Sequence, residues 1–229
     1  ITRCWLFTYQ TPASEAQLLL PPHLELVTHQ ECAFWNVVVC RIKSMRPQPL
    51  PTWVGIQYWH VAYRLYVRFH PQSGPPLEGL HFLRSDCDSR LIATSGNLMT
   101  DFNFHTAAVA VQEHNDTISI QVKSPDMPAQ AKLQPQVPPQ LPAYSAFTSL
   151  EEAAAFLKYK PRGISVDEEG NANIVQIVRQ EEAWQSSLVS VENAEWSFFN
   201  DKNVRPEICY QVNPISYQWN RGQIVPGAR

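Results

Sequence analysis

One stretch, Gln57 to Phe69, most constrains the fold of this chain, because its residues alternate in character with the two-residue period of a β-strand. One face is almost wholly apolar or aromatic and carries Gln57, Trp59, Val61, Tyr63, Leu65, Val67 and Phe69. The other face holds hydrogen-bonding and titratable groups and carries Tyr58, His60, Ala62, Arg64, Tyr66 and Arg68. Such a face must meet water, a polar interior or a ligand, because burying an unpaired charge is costly. Two interpretations stay open: an antiparallel strand with one solvated face, or a strand that lines a polar cavity.

Composition narrows the class of protein. The chain has 229 residues, 44% of them hydrophobic, which is enough for a full core in one large or two small domains. A net charge of -3 without a Lys/Arg block gives no electrostatic case for binding nucleic acid or anionic membranes. No apolar run reaches the length of a membrane span. Five scattered cysteines without a CxxC pair favour reduced thiols and a cytoplasmic location. Because the chain begins at Ile1 rather than Met, the sequence leaves open whether a targeting signal has been removed.

The remaining pattern predicts many strands and two short helices. The helices are expected over 15–20, opened by Ser14, and over 149–158, opened by a capping box of Ser149 and Glu152. The segment 125–142 is rich in Pro and Gln and predicts a long surface loop. Strands are expected at 2–11, 24–28, 33–43, 57–69, 79–85, 91–95, 106–114, 117–124, 164–166, 173–179, 183–199 and within 208–223. Together, these elements predict an α+β fold of mostly antiparallel β structure.

No familiar catalytic signature is present. The chain lacks a P-loop and the GxGxxG, GxSxG and HExxH motifs, and its 8 glycines argue against a phosphate-binding loop. Asp86 and Asp88 flank Cys87 at a predicted strand junction, where two carboxylates could hold a metal or share a proton. Residues in such positions more often cap turns. We therefore predict no cofactor and no metal.

Several stretches follow one another in an order and spacing that belong to one protein family. They are LLLPPHLELV (18–27), RIKSMRPQPLP (41–51), HVAYRLYVR (60–68), GLHFLRSDCDSRLIA (79–93), NLMTDFNFHTAAVAV (97–111), AAAFLKY (153–159) and DEEGN (167–171). In this respect the chain resembles the uncharacterised YqjF-like family of the acetoacetate decarboxylase-like superfamily. The resemblance covers nearly the whole chain as a single domain, 1–229. It implies a β-cone or barrel around a cavity, with His60, Arg64 and Tyr66 close to a central pocket.

The same resemblance puts enzymatic activity in question. In the decarboxylase branch a lysine forms a Schiff base with a keto acid, and burial and a neighbouring ammonium lower its pKa. The corresponding stretch of this chain, 100–105, contains no lysine. The YqjF-like pattern also has Glu and Asn where this chain has His60 and Ala62. Whether the protein is an enzyme is therefore left undecided.

Three residues of this chain, Arg64, Tyr66 and Asp86, match the YqjF-like pattern. The match suggests an ion pair between Arg64 and Asp86, either structural or placed to orient a carboxylate ligand.

Three functions stay open. The first is binding of a small carboxylate or carbonyl compound in the cavity, without Schiff-base chemistry, because an arginine can bind a carboxylate in a bidentate manner. Its candidate ligand-binding residues are Arg64, Tyr66, Asp86, Tyr58 and Phe104. The second is a lyase or isomerase acting on a keto or enol substrate, with His60 or His105 as general base. The third is a structural or interaction domain with a filled cavity. Exposed strand edges and many aromatic residues would also suit a homo-oligomer.

Overall fold

The stretch that alternates most clearly is a 14-residue strand, Ile56–Phe69, in the computed structural model of the chain. The structure describes residues 1–47, 49–158, 160–179 and 184–228. Both faces of this strand are buried, including His60 and Arg64, each only 4% exposed. The strand therefore has no solvated face, and its polar side chains meet the interior of the protein.

The elements are numbered here in chain order. The strands are β1 (Arg3–Pro12), β2 (Leu24–Leu26), β3 (Thr28–His29), β4 (Cys32–Met45), β5 (Ile56–Phe69), β6 (Leu77–Cys87), β7 (Phe104–Thr106), β8 (Ala108–His114), β9 (Thr117–Lys123), β10 (Ala129–Gln134), β11 (Arg162–Val166), β12 (Ala172–Val178), β13 (Ser186–Leu188), β14 (Ser190–Trp196), β15 (Arg205–Val212), β16 (Gln218–Trp219) and β17 (Gln223–Val225). The helices are α1 (Ala13–Gln17), α2 (Arg90–Met99) and α3 (Leu150–Phe156), with 3₁₀ turns at Thr52–Val54 and Ser197–Phe199.

These strands form two sheets. In the described residues the larger sheet has 13 strands, and its main path runs β13-β15-β1-β4-β5-β6-β11-β12-β16. The smaller sheet has the order β14-β10-β9-β8. Neighbouring strands are antiparallel except where β6 meets β7 and β11. In the part of the chain that the structure describes, β13 and β16 do not pair, so this path is an open sheet and not a closed barrel.

Each face of the larger sheet has its own apolar core. On one face, odd-numbered residues of β5 such as Tyr63 and Leu65 pack with residues of the smaller sheet such as Ile120 and Leu133. We call this the intersheet core. On the other face, even-numbered residues such as Tyr66 pack with α3, Phe102 and Phe104. We call this the cavity core. The alternation along β5 thus divides the molecule into two halves that share one sheet.

The number of helices differs from the prediction of two, because the described residues contain three α-helices. The stretch 91–95, predicted as a strand, lies inside α2. The side chain of Ser89 caps this helix by accepting a hydrogen bond from the Ile92 amide. Its periodicity was misassigned because apolar residues at 91 and 92 fit the start of a helix as well as a strand. None of the described helices is long and apolar enough to cross a membrane.

Two further local predictions need correction. The predicted loop 125–142 contains β10, where Ala129, Ala131 and Leu133 are buried between β9 and β14. The small alanine side chains give a weak alternation signal that the flanking prolines obscure. The predicted first helix begins earlier, as α1, and has Pro12 at its N-terminus without a side-chain cap, so Ser14 does not open it.

Candidate functional site

A cavity lies on the cavity-core side of the large sheet. Its volume is about 50 Å³, which suits a ligand of a few non-hydrogen atoms. Most of its wall is apolar and comes from β1, β4, β6, β12 and the segment 215–219. The ionisable side chains that line it are Cys4, Cys40, His60, Arg64, Arg162, Arg179 and Tyr217. A mainly apolar wall with a few convergent polar groups is the usual composition of a small-molecule site.

Arg64 is held in this wall by a series of hydrogen bonds. Its Nη2 donates to Oδ1 of Asn36, the residue directly opposite on β4. Nδ2 of Asn36 donates to the Tyr66 hydroxyl over 2.9 Å, and that hydroxyl donates to the Leu157 carbonyl over 2.7 Å. The Arg64 guanidinium also lies 5.3 Å from the centroid of the Phe82 ring, a distance typical of cation–π contacts. The cation is therefore fixed by β4, β5, β6 and the end of α3 together.

Aromatic rings form one side of the cavity. Phe82 and Phe102 stack with their ring centroids 3.9 Å apart and their planes 10° apart. Trp219 meets Phe102 edge-on at 5.9 Å. A Cβ atom at Gly163 would lie 2.7 Å from the Phe102 ring, so only glycine allows this ring so close to β11. The wall is thus rigid and apolar next to Arg64.

A row of sulfur and imidazole groups forms the other part of the wall. Cys4, Cys40 and His60 are directly opposite one another on β1, β4 and β5. We call them the thiol–imidazole row. The His60 ring stacks on Phe104 at 5.2 Å. Phe104 is itself held by Asn97 of α2, which donates to its carbonyl and accepts from its amide.

The structure places only some of the functional residues proposed from the sequence at the cavity. Arg64 lines the cavity, and so does His60. Tyr66, Tyr58 and Phe104 are buried behind the wall, where Tyr66 supports Asn36 and Phe104 supports His60. The second candidate base, His105, is half-buried on β7 and contacts Asn103 instead of the cavity.

The predicted contact between Arg64 and Asp86 is wrong. Asp86 is opposite Val61, and this places it on the intersheet side, whereas Arg64 faces the cavity. Asp86 is fully buried and accepts hydrogen bonds from Arg84, which also bonds Asp126 over 2.7 Å. Burial raises the pKa of the Asp86 carboxyl despite its hydrogen bonds to Arg84. Asp86 and Arg84 form a structural pair within the other core.

Sequence reasoning missed four residues of the wall, Cys4, Cys40, Arg162 and Arg179, and also Asn36, which accepts a hydrogen bond from Arg64. The alternation of β4 places Asn36 and Cys40 on one face, but their partners depend on the register between β1, β4 and β5, which the pattern does not specify. The lysines considered for Schiff-base chemistry, Lys43 and Lys123, are exposed, and no described residue that lines this cavity is a lysine. In the described residues, no group of three or more His, Cys, Asp or Glu side chains is placed to hold a metal.

Residues 2–216 match the protein family DUF2071, described as "Uncharacterized conserved protein". The chain belongs to this family. No curated protein matches the chain.

Solved structures with a similar fold include an acetoacetate decarboxylase from Legionella pneumophila subsp. pneumophila str. Philadelphia 1. It is 14% identical, with a TM-score of 0.57 over 99% of this chain and 86% of that one. An acetoacetate decarboxylase-like enzyme from Sphingomonas wittichii RW1 is 12% identical, with a TM-score of 0.55 over 99% and 89%. The enduracididine biosynthesis enzyme MppR complexed with pyruvate is 11% identical, with a TM-score of 0.52 over 99% and 87%. This member of DUF2071 therefore has the acetoacetate decarboxylase-like fold.

Proposed function

We propose that the cavity binds a small carboxylate or carbonyl compound at Arg64 and that no lysine forms a Schiff base with it. The observation that carries this proposal is a buried guanidinium in an apolar wall, fixed by Asn36 and, through it, by Tyr66. An arginine held in this way is pre-organised for a carboxylate, since little side-chain entropy is lost when the ligand binds. Two more arginines, Arg162 and Arg179, line the same cavity and favour an anion.

A small keto acid agrees with the size of the cavity and with its mixed wall. The aromatic stack of Phe82 and Phe102 would contact the apolar end of such a ligand, while Arg64 binds its carboxylate. MppR, which shares the fold, has been seen in complex with pyruvate. Pyruvate is therefore the first compound to try in a panel of 2-keto acids. The free cysteines support a cytoplasmic location, which we include in the proposal.

The test compares Arg64→Met with Arg68→Met by calorimetric titration of the 2-keto acid panel. Arg68 is the matched control because it lies four residues further on the same face of β5 and pairs with Glu78 outside the cavity. We expect Arg64→Met to weaken binding by roughly 10- to 100-fold, the value of a hydrogen bond to a charged group. Arg68→Met should bind as the unchanged protein does. Equal affinity of all three proteins would refute the role of Arg64.

A second measurement addresses the Schiff base. The intact mass is recorded after incubation with a 2-keto acid and borohydride, beside an authentic acetoacetate decarboxylase as positive control. We expect no adduct on this chain. Lys158 is the lysine to examine for an adduct, because it lines a neighbouring pocket that shares Leu6 and Trp184 with the cavity. A borohydride-dependent adduct on Lys158 would replace our proposal by Schiff-base chemistry.

One observation favours a second function, an enzyme that uses His60 as general base. His60 lines the cavity, and its Nε2 atom is buried without a hydrogen-bond partner among the described residues. Hydrogen–deuterium exchange at the carbon next to the ligand's carbonyl, followed by NMR, separates the two functions. If the unchanged protein catalyses this exchange, and His60→Asn abolishes the exchange but still binds the ligand, the protein is an enzyme with His60 as its general base.

A further inference from the structure

The thiol–imidazole row contains a chemically distinct cysteine. Cys40 lies in the middle, with Cys4 opposite it on one side and His60 opposite it on the other. All three side chains line the cavity, and each is at most 4% exposed. A small molecule in the cavity therefore meets the row directly.

The neighbours of Cys40 favour its thiolate. A side-chain hydrogen bond from Cys4 lowers the pKa of the Cys40 thiol most, and a hydrogen bond and charge from His60 and the charge of Arg64 lower it further. The pKa of each of the other four cysteines is raised: hydrogen bonding to Cys40 has the largest effect on Cys4, and burial has it on Cys32, Cys87 and Cys209. Because the thiolate is the nucleophilic form, these pKa directions predict that Cys40 is more reactive than the other four thiols.

His60 supplies a second, independent sign of a ligand. Its Nε2 atom is buried without a hydrogen-bond partner in the described part of the chain. Leaving a polar atom unsatisfied in this way costs about 1–3 kcal/mol, so such atoms call for an explanation. A ligand oxygen next to the row would satisfy this nitrogen.

We propose that Cys40 is a nucleophile that captures a 2-keto acid in the cavity as a reversible thiohemiketal, with His60 as its proton donor. The inference rests on the proposed function and deepens it, because Arg64 would hold the carboxylate of the same ligand. The Cys40 thiol gives its proton to His60, the sulfur then gives an electron pair to the carbonyl carbon, and an S–C bond forms. The C=O π electrons move to the oxygen, which takes a proton from His60. The reverse steps release the ligand, so no oxidant or reductant is needed.

The position of Arg64 agrees with this reaction. Arg64 lines the same cavity as Cys4, Cys40 and His60, and its charge lowers the pKa of both cysteines. In a 2-keto acid the carbonyl carbon is bonded directly to the carboxylate carbon. A carboxylate bound by Arg64 therefore brings the carbonyl carbon toward Cys40, and a keto acid with a more distant carbonyl would fit less well.

The first test is alkylation by iodoacetamide at pH 6, read by peptide mass spectrometry. We expect Cys40 to react roughly tenfold faster than Cys32, although Cys32 is the more exposed thiol, because at this pH an ordinary thiol is almost fully protonated. His60→Asn should move the pH midpoint of Cys40 labelling upward. Labelling of Cys32 ahead of Cys40 in the unchanged protein would overturn the inference, and this comparison needs no variant.

The second test is ¹³C NMR of [2-¹³C]pyruvate bound to the unchanged protein, Cys40→Ser and Cys32→Ser. We expect a protein-bound tetrahedral carbon signal that Cys40→Ser loses and Cys32→Ser keeps. Binding to all three proteins without this signal overturns the covalent step and leaves the proposed function standing. Absence of binding to the unchanged protein overturns the proposed function, and the inference with it.

Discussion

At the scale of single residues, the position of Arg64 depends on hydrogen bonds that run through two other side chains. Asn36 accepts from Arg64 and donates to Tyr66, and Tyr66 donates to the carbonyl at the end of α3. All three side chains are at most 4% exposed. Because a buried polar group that loses its partner keeps its desolvation cost, the three residues act as one unit.

Substitution of Asn36 tests this unit. We expect Asn36→Ala to lower the free energy of unfolding by at least about 1–3 kcal/mol, because the Tyr66 hydroxyl loses a donor and Arg64 loses an acceptor. It should also weaken ligand binding, although Asn36 does not line the cavity. Chemical denaturation and titration measure the two effects. Asn193→Ala, at an exposed position of β14, is the control and should change neither. Unchanged binding by Asn36→Ala would show that Arg64 holds its position without Asn36.

The alternation of β5 was sufficient to predict that His60 and Arg64 face the same side, and both line the cavity. The alternation was not sufficient to predict the neighbours of Asp86 or Cys40, because these depend on the register in which β5 pairs with β6 and β4. The pairing of β5 with β6 shifts between Tyr63 and Arg64, and neither hydrophobicity nor turn chemistry in the sequence marks this irregularity. When the pairing register shifts by one residue, each side chain of the strand moves to the opposite face of the sheet.

At the scale of elements, β6 carries an ionic cluster into the intersheet core. Arg84 donates to Asp86, Asp126 and Ser124, and Asp86 is fully buried. The desolvation cost of such a pair is offset only while both charges are present. The cluster also links the large sheet to the segment after β9, where Ser124 and Asp126 lie.

Removal of the cation alone should be strongly destabilising. We expect Arg84→Met to lower the free energy of unfolding by about 3–5 kcal/mol at pH 7, because Asp86 keeps a buried charge without a partner. Burial already raises the pKa of Asp86 above its value in an unfolded chain, and the variant raises it further. The folded variant then binds a proton more readily than the unfolded chain, so its deficit should shrink as the pH falls through that raised pKa.

Denaturant unfolding at pH 7 and pH 5 measures this effect. The double variant Arg84→Met with Asp86→Leu is the control, since replacing both charges by apolar groups is often close to neutral. A double variant no more stable than Arg84→Met would show that the loss comes from packing and not from charge.

Helix α3 begins with a cap that the sequence predicted. The Ser149 hydroxyl accepts from the Glu152 amide over 3.1 Å, and the Glu152 carboxylate accepts from the Thr148 amide. We expect Ser149→Ala to cost about 1 kcal/mol of stability, measured by thermal unfolding. Ser14→Ala is the matched control: its serine was predicted to cap α1 but does not, so the change should be within a few tenths of a kcal/mol. Equal effects of the two changes would contradict the cap.

At the scale of the whole molecule, β5 stands between two cores that share one sheet. Because every β5 residue from Tyr58 to Val67 is buried, neither core can open without exposing the back of the other. The sequence-based prediction of one domain over 1–229 stays a prediction, which thermal unfolding can test. We expect thermal unfolding in one transition, with equal calorimetric and van't Hoff enthalpies. Two separable calorimetric transitions would instead divide the chain into two units.

The pairing of β1 with β15 has a consequence for how the chain is made. Thr8 and Ile208 are 200 residues apart and are joined by two hydrogen bonds. A ribosome adds roughly 5–20 residues per second, so one edge of β1 waits roughly 10–40 s for its partner after synthesis. An unpaired edge is a template for wrong pairing with other chains. Newly made protein should therefore need protection by chaperones, and its refolding should be slow, as it is for proteins rich in distant contacts.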